Sequence, residues 1–108
     1  MSLYLVQVAY TSEAWARLVK HPQNRIEVVG KAVEKLGGKV NAGWLTFGDF
    51  DTALVIEMPD NVSAAAFGIA IASGGACKNV KTTPLLSTEE GIAAITKAAA
   101  AGYQPPSA

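Results

Sequence analysis

The feature that most constrains the fold is a pair of segments, residues 3–10 and 52–58, that alternate with the two-residue period of β-strands. One side of the pair is wholly apolar and consists of Tyr4, Val6, Val8, Leu54, Ile56 and Met58. The other side is nearly as apolar and consists of Leu3, Leu5, Gln7, Ala9, Ala53, Val55 and Glu57. Antiparallel sheets with one face in water usually show cleaner polar alternation, so both faces of this sheet are expected to be covered.

Four segments carry helical signals. Residues 11–20 form a short helix capped by Thr11 or Ser12, and a second helix is expected to start at Pro22 and end before the glycine pair at 37–38. Residues 62–73 form an uncharged helix after a Pro-Asp-Asn stop, and residues 87–99 open with the spacing of a capping box.

Residues 40–47 and 76–86 supply two more strands, which completes the order βαββαβ followed by a C-terminal helix. This order predicts an α+β, ferredoxin-like sandwich, in which a four-stranded antiparallel sheet carries helices on one face. Residues 1–102 are expected to form a single domain, and residues 103–108 a flexible tail.

The apolar second face of the sheet predicts an assembly, because an uncovered apolar patch of that size is unusual on a monomer. With one domain available, the simplest cover is a second copy of the chain, as a homodimer or higher oligomer. The uncharged helix at 62–73 has no solvated side, so it is expected to meet the C-terminal helix or a neighbouring subunit.

Gln7 and Glu57 are the polar exceptions on the covered face. A carboxylate among apolar neighbours has its ionised form disfavoured, which prepares it for proton transfer, so Glu57 is the candidate catalytic acid or base. The alternative is that Glu57 bonds to a partner subunit or lies near a wet edge. Trp44 is expected to line the same space, with Lys78 or Asn79, as a ligand-binding or interface residue.

The break Gly48-Asp49-Phe50-Asp51 between two apolar runs raises the question of whether it is a site or only a bend. Gly48 tolerates a positive φ and Asp49 can bond backbone amides, which favours a structural hairpin. Turn chemistry does not account for Phe50, whose ring is expected to dock against a helix end or another subunit.

Composition excludes several classes of function. Charged residues make up 17% of the chain and the formal net charge is zero, with no basic stripe to attract nucleic acid or an anionic membrane. The uncharged stretch around residues 61–77 is too short and too polar for a membrane span. A lone cysteine and the absence of a signal-peptide pattern fit a reducing cytoplasm.

Neither His21 nor Cys77 forms part of a recognisable catalytic or metal-binding set, and no cofactor is predicted. His21 is interpreted as a solvated residue before a proline. Cys77 is interpreted as a buried, inert thiol, in preference to a reactive thiolate activated by the adjacent Lys78.

The residues Gly48, Phe50 and Asp51 in "FGDFD", followed by "ALVIEMPD" and "ASGG" and preceded by "AVEKLGGKV", resemble the GYD domain family of small bacterial proteins. The resemblance covers about residues 3 to 86 and implies a dimeric α+β barrel type of fold with no assigned function. Phe50 stands where the family typically has tyrosine, so a role that needs a phenol hydroxyl is not carried over.

Two functions remain open. In the first, a small molecule is bound or turned over between the sheet face and its cover, with Gln7, Trp44 and Glu57 lining the site. In the second, the apolar face serves assembly alone, as a structural or interaction module. An enclosed void holding Glu57 favours the first and tight interdigitated packing the second.

Overall fold

The computed structural model describes residues 1–107 and contains one sheet with the strand order β2-β3-β1-β4, in which all neighbours are antiparallel. The elements are β1 Ser2–Tyr10, α1 Ser12–Lys20, α2 Arg25–Lys35, β2 Lys39–Leu45, β3 Thr52–Met58, α3 Asn61–Ser73, β4 Cys77–Leu85, α4 Thr88–Ala98 and a 3-10 turn Ala99–Ala101. The predicted ferredoxin-like α+β fold is confirmed.

The core lies between the sheet and the helices α2 and α3. The six residues predicted to face the helices are all buried, namely Tyr4, Val6, Val8, Leu54, Ile56 and Met58. Val33 of α2 and Phe67 of α3 are fully buried against them. The register explains this arrangement, because Val6 pairs with Leu54 and both side chains therefore point to the same face.

Pro22 does not start a helix, which corrects the sequence-based boundary. It lies in the exposed link between α1 and α2, and α2 begins at Arg25. Asn24 caps the helix instead: its Oδ1 accepts hydrogen bonds from the backbone N–H of Ile26 at 3.1 Å and of Glu27 at 3.3 Å. Such a cap satisfies two of the free amides at a helix start, which the proline ring cannot do.

α3 is uncharged along its length, as the sequence indicates, and only Ala64 and Phe67 are buried in it. Asp60 caps it by accepting a hydrogen bond from the backbone N–H of Ser63 at 2.8 Å. Within residues 1–107, neither α3 nor any other helix has the length and apolar content needed to cross a membrane.

α4 has the predicted capping box: Glu90 N–H donates to Ser87 Oγ at 3.0 Å, and Ser87 N–H donates to Glu90 Oε1 at 2.9 Å. The helix nevertheless buries none of its own side chains, and Ile95 is 75% exposed. The chain is correspondingly extended, with a radius of gyration of 17.3 Å, against about 13 Å expected for a compact domain of this length. Among residues 1–107, α4 therefore packs too little against the rest of the chain to bury its apolar residues.

Candidate functional site

The break at 48–51 is a closed bend between β2 and β3. Thr46 N–H donates to the carbonyl of Asp51 at 2.8 Å, and the Thr46 hydroxyl donates to the carbonyl of Phe50 at 2.8 Å. Gly48 has φ +132° and no atom within 4 Å of where a Cβ would be, so its role is conformational. The interpretation of this stretch as a structural bend agrees with these contacts.

Asp51 has a second structural role, which turn chemistry alone does not predict. Its Oδ2 accepts hydrogen bonds from Tyr10 N–H at 2.9 Å and from the Trp15 indole Nε1 at 3.3 Å. Its own N–H donates to the carbonyl of Val8 at 2.8 Å. Asp51 therefore joins the bend to the end of β1 and to α1.

Tyr10 and Trp15 form the other side of this junction. Their rings meet edge to face, with centroids 5.3 Å apart and planes at 86°, an arrangement that aromatic pairs favour. The Tyr10 hydroxyl and Thr52 Oγ1 lie 2.8 Å apart in a buried hydrogen bond. The junction thus satisfies its buried polar groups internally.

Phe50 lies beside the open face of the sheet, and its docking against a helix end or another subunit stays a prediction. The ring is half-buried and lines a shallow concavity of about 320 Å³, together with Gln7 and Lys81 on the open face of the sheet. The neighbouring Phe47 is 99% exposed and lines the same concavity. Aromatic rings therefore border one end of the open face.

Gln7 and Trp44 lie in one row of the sheet. The register pairs Trp44 with Ala53, Ala53 with Gln7, and Gln7 with Lys81. An irregularity between Val40 and Ala42 shifts β2 by one residue and brings Trp44 onto this face, where it is 54% exposed. The neighbour on β4 in this row is therefore Lys81, while Asn79, opposite Ala9, lies on the same face one row further along.

Glu57 is half-buried on the same face but lies apart from that row. It pairs with Leu3 on β1 and with Lys39 on β2. Four residues separate it from Ala53 along β3, which corresponds to about 13 Å at the rise of a strand. The structure therefore brings Gln7 and Trp44 together and leaves Glu57 at the other end of the face.

Cys77 is half-buried at the start of β4. Burial raises the pKa of the Cys77 thiol, and the positive charge of Arg25 opposes that rise. The direction favours the neutral thiol and agrees with the interpretation of Cys77 as unreactive. His21 is exposed between α1 and α2, as expected.

Sequence analysis missed a set of concavities on the opposite, helix-covered side, which meet at Tyr10 and Arg25. The available signal was a positive charge in the first turn of α2, where the helix dipole disfavours it. Within residues 1–107, no group of three His, Cys, Asp or Glu side chains is placed to hold a metal ion.

Comparison with known proteins supports the fold and the family. The crystal structure of FFRP-DM1 matches 80% of this chain and 100% of its own, with a TM-score of 0.50 at 12% identity, and so shares the fold alone. No curated protein shows significant similarity to the chain. The model of the GYD domain matches residues 4–95, and the chain therefore belongs to the GYD domain family.

Proposed function

We propose that the protein works as a homo-oligomer in which a second copy covers the open sheet face and a small molecule is bound between them. The observation that carries the proposal is the apolar centre of that face. Leu5 pairs with Val55 across β1 and β3, and Val55 with Ala42 on β2, and within residues 1–107 the three side chains are only half-buried. Covering these groups removes apolar surface from water, which favours association.

α4 supports the same assembly. It buries none of its side chains within its own chain, and both Ile92 and Ile95 are exposed. A short isolated helix is marginal in water, so packing must come from elsewhere to hold it. In the proposed oligomer, α4 lies against the second copy, which supplies that packing.

The ligand site is proposed for the end of the face where Gln7 and Trp44 lie. The Gln7 amide offers a donor and an acceptor, Lys81 offers a cation beside it, and Phe50 and Trp44 offer ring surfaces. A planar molecule with a carbonyl or anionic group fits this combination. Glu57, about 13 Å away along β3, would serve as acid or base only for a ligand long enough to reach both ends of the covered face.

The second candidate function is an assembly module without turnover. The observation in its favour is the separation of Glu57 from Gln7 and Trp44, because catalysis needs its groups around one ligand. Lys39, directly across from Glu57, offers the carboxylate a purely structural neighbour.

Sedimentation velocity at micromolar concentration tests the assembly. The wild-type chain is expected to sediment as a dimer or larger species, and Leu5→Lys and Ile95→Lys are each expected to shift it toward the monomer. Val19→Lys is the matched control, because Val19 is 78% exposed on α1, away from the open face. A wild-type monomer would overturn the proposal.

A crystal structure of the assembly separates the two functions. A void of about 300 Å³ or more beside Gln7 would support ligand binding, since that is the lower end of ligand-site volumes. Interdigitated packing of both sheets with no void would exclude it and leave the assembly module.

A further inference from the structure

Three concavities on the helix-covered side of the sheet meet at two residues. Their volumes are about 350, 300 and 210 Å³, and Tyr10 and Arg25 line all three. They lie on the side of the sheet that carries the helices, opposite the proposed assembly face. The middle one, of about 300 Å³, is here called the α2–α3 groove.

The α2–α3 groove is apolar along its length. Val29 and Ala32 of α2 form one wall, Phe67 and Ile71 of α3 the other, and Leu54 of β3 lies at its floor. Its volume is at the lower end of the range for small-molecule sites, which is about 300 to 1,000 Å³. A groove of this composition favours the apolar body of a small ligand.

Within the described part of the chain, Arg25 is the one cationic residue among those that line the groove. Its Nη1 donates to the neutral Gln23 Oε1 at 3.0 Å. Among residues 1–107, none of the side chains that line the three concavities is acidic. The position in the first turn of α2 is unfavourable for a positive charge, so helix stability does not explain the residue.

Arg25 and Cys77 line the same groove. Cys77 lines the groove at the start of β4, and the Arg25 charge opposes the effect of burial on the pKa of its thiol. A negatively charged group held in the groove beside Cys77 would therefore share it with the positive charge of Arg25. A carboxylate there would form a charge-assisted hydrogen bond, of the bidentate kind that arginine favours.

We propose that the α2–α3 groove binds a small monocarboxylic acid with an apolar body, with its carboxylate on Arg25 and its tail between Ala32 and Phe67. A phosphate ester fits less well, because a dianion needs more than one cation and the groove offers a single guanidinium. The nearby hydroxyls of Tyr10 and Thr52 already bond to each other at 2.8 Å.

Protection of Cys77 tests the proposal on the full-length chain. Cys77 is the only cysteine, so its reaction with a disulfide reagent such as DTNB reports on this groove alone. Octanoate is the probe, and it is expected to slow the reaction of the wild-type thiol in a saturable manner, with calorimetry giving the affinity. 1-Octanol, which lacks the carboxylate, is expected to bind about tenfold more weakly or worse. Equal binding of the two would overturn the assignment of Arg25.

Two variants locate the site. Arg25→Gln is expected to weaken octanoate binding about tenfold or more and leave 1-octanol binding unchanged. Lys31→Gln is the matched control on the same helix, because Lys31 is exposed and lines none of the three concavities. Ala70→Phe fills the groove from an exposed position on α3 and should abolish binding of both probes.

Each remaining outcome is decisive. No protection of wild-type Cys77 by millimolar octanoate would overturn the proposal, as would full binding to folded Ala70→Phe. If Ala70→Phe does not fold, the comparison of octanoate with 1-octanol on Arg25→Gln decides alone. None of these outcomes changes the sedimentation result, so this proposal and the proposed assembly fail separately.

Discussion

Asp51 accepts a 2.9 Å hydrogen bond at Oδ2 from the backbone N–H of Tyr10, a residue 41 positions earlier in the chain. Asp51 precedes the first residue of β3, Thr52. Its carboxylate therefore takes the place of a β3 partner for Tyr10, the last residue of β1. The same oxygen accepts from the Trp15 indole at 3.3 Å. These contacts give the aspartate of the family motif a structural role in the fold.

Asp51→Ala is expected to destabilise the protein by about 2 to 3 kcal/mol, because hydrogen bonds to charged groups contribute about 1.5 to 3 kcal/mol and the Tyr10 amide loses its acceptor. Urea denaturation followed by circular dichroism measures the change. Asp49→Ala is the control in the same bend, since Asp49 is exposed. Equal effects from the two substitutions would contradict the structural role of Asp51.

The parity of β1 and β3 was predictable because burial fixes it. A slip of one residue would move Tyr4, Val6 and Val8 out of the core, so the hydrophobic pattern determines which face these residues take. The capping box of α4 was equally predictable, since Ser87 and Glu90 bond to each other locally.

The site was less predictable, for two physical reasons. The irregularity after Val40 changes which residues of β2 face the open side, and no local signal in the sequence marks it, so the register of β2 against β3 was not predictable. The groove at Arg25 depends on how far apart two helices pack, and the periodicity of each helix gives its apolar face without the gap between them.

Gly38→Ala is expected to cost about 3 kcal/mol or more, because a Cβ at this position would collide with Met58 Sδ and the carbonyl of Glu57. A backbone carbonyl in a strand cannot move aside as a flexible side chain can. Gly91→Ala is the matched control, since its Cβ would meet nothing within 4 Å and alanine favours the helix. Thermal unfolding of both variants checks this, and equal melting temperatures would show that Gly38 is not confined.

The Cys77 thiol is expected to have a higher pKa than a free cysteine, because burial raises the pKa and the charge of Arg25 only partly opposes the rise. The rate of DTNB modification against pH measures this. Arg25→Gln should move the midpoint higher, since it removes the charge that favours the thiolate, and Lys78→Gln should leave it unchanged. A midpoint at or below that of an unfolded cysteine peptide would contradict the burial of the thiol.

The raised pKa of the Cys77 thiol also makes the stability of the fold depend on pH. The folded chain holds the Cys77 proton more tightly than the unfolded chain, so this contribution is complete below the ordinary thiol pKa and is lost as the pH rises through the raised one. Cys77→Ala is therefore expected to flatten the decline of the urea midpoint in the alkaline range. If the urea midpoint of Cys77→Ala declines as steeply as that of the wild type, other titrating groups cause the alkaline loss of stability.

The Asp60 carboxylate should make α3 sensitive to acid. The backbone N–H of Ser63 and then its side chain donate to it and hold the pKa of Asp60 below its usual range. The folded chain therefore binds this proton less tightly than the unfolded chain, so the stabilisation is present above the ordinary carboxylate pKa and is lost as the pH falls through the lowered one. Asp60→Asn keeps a neutral cap and should show a shallower acid decline in urea midpoint than the wild type. Glu90→Gln is the comparison, because hydrogen bonds from Ser87 hold the pKa of the Glu90 carboxyl below its usual range in the same way. Since α4 has no buried side chains, acid should reduce the helical signal of α4 in the wild type with little change in the unfolding of the core.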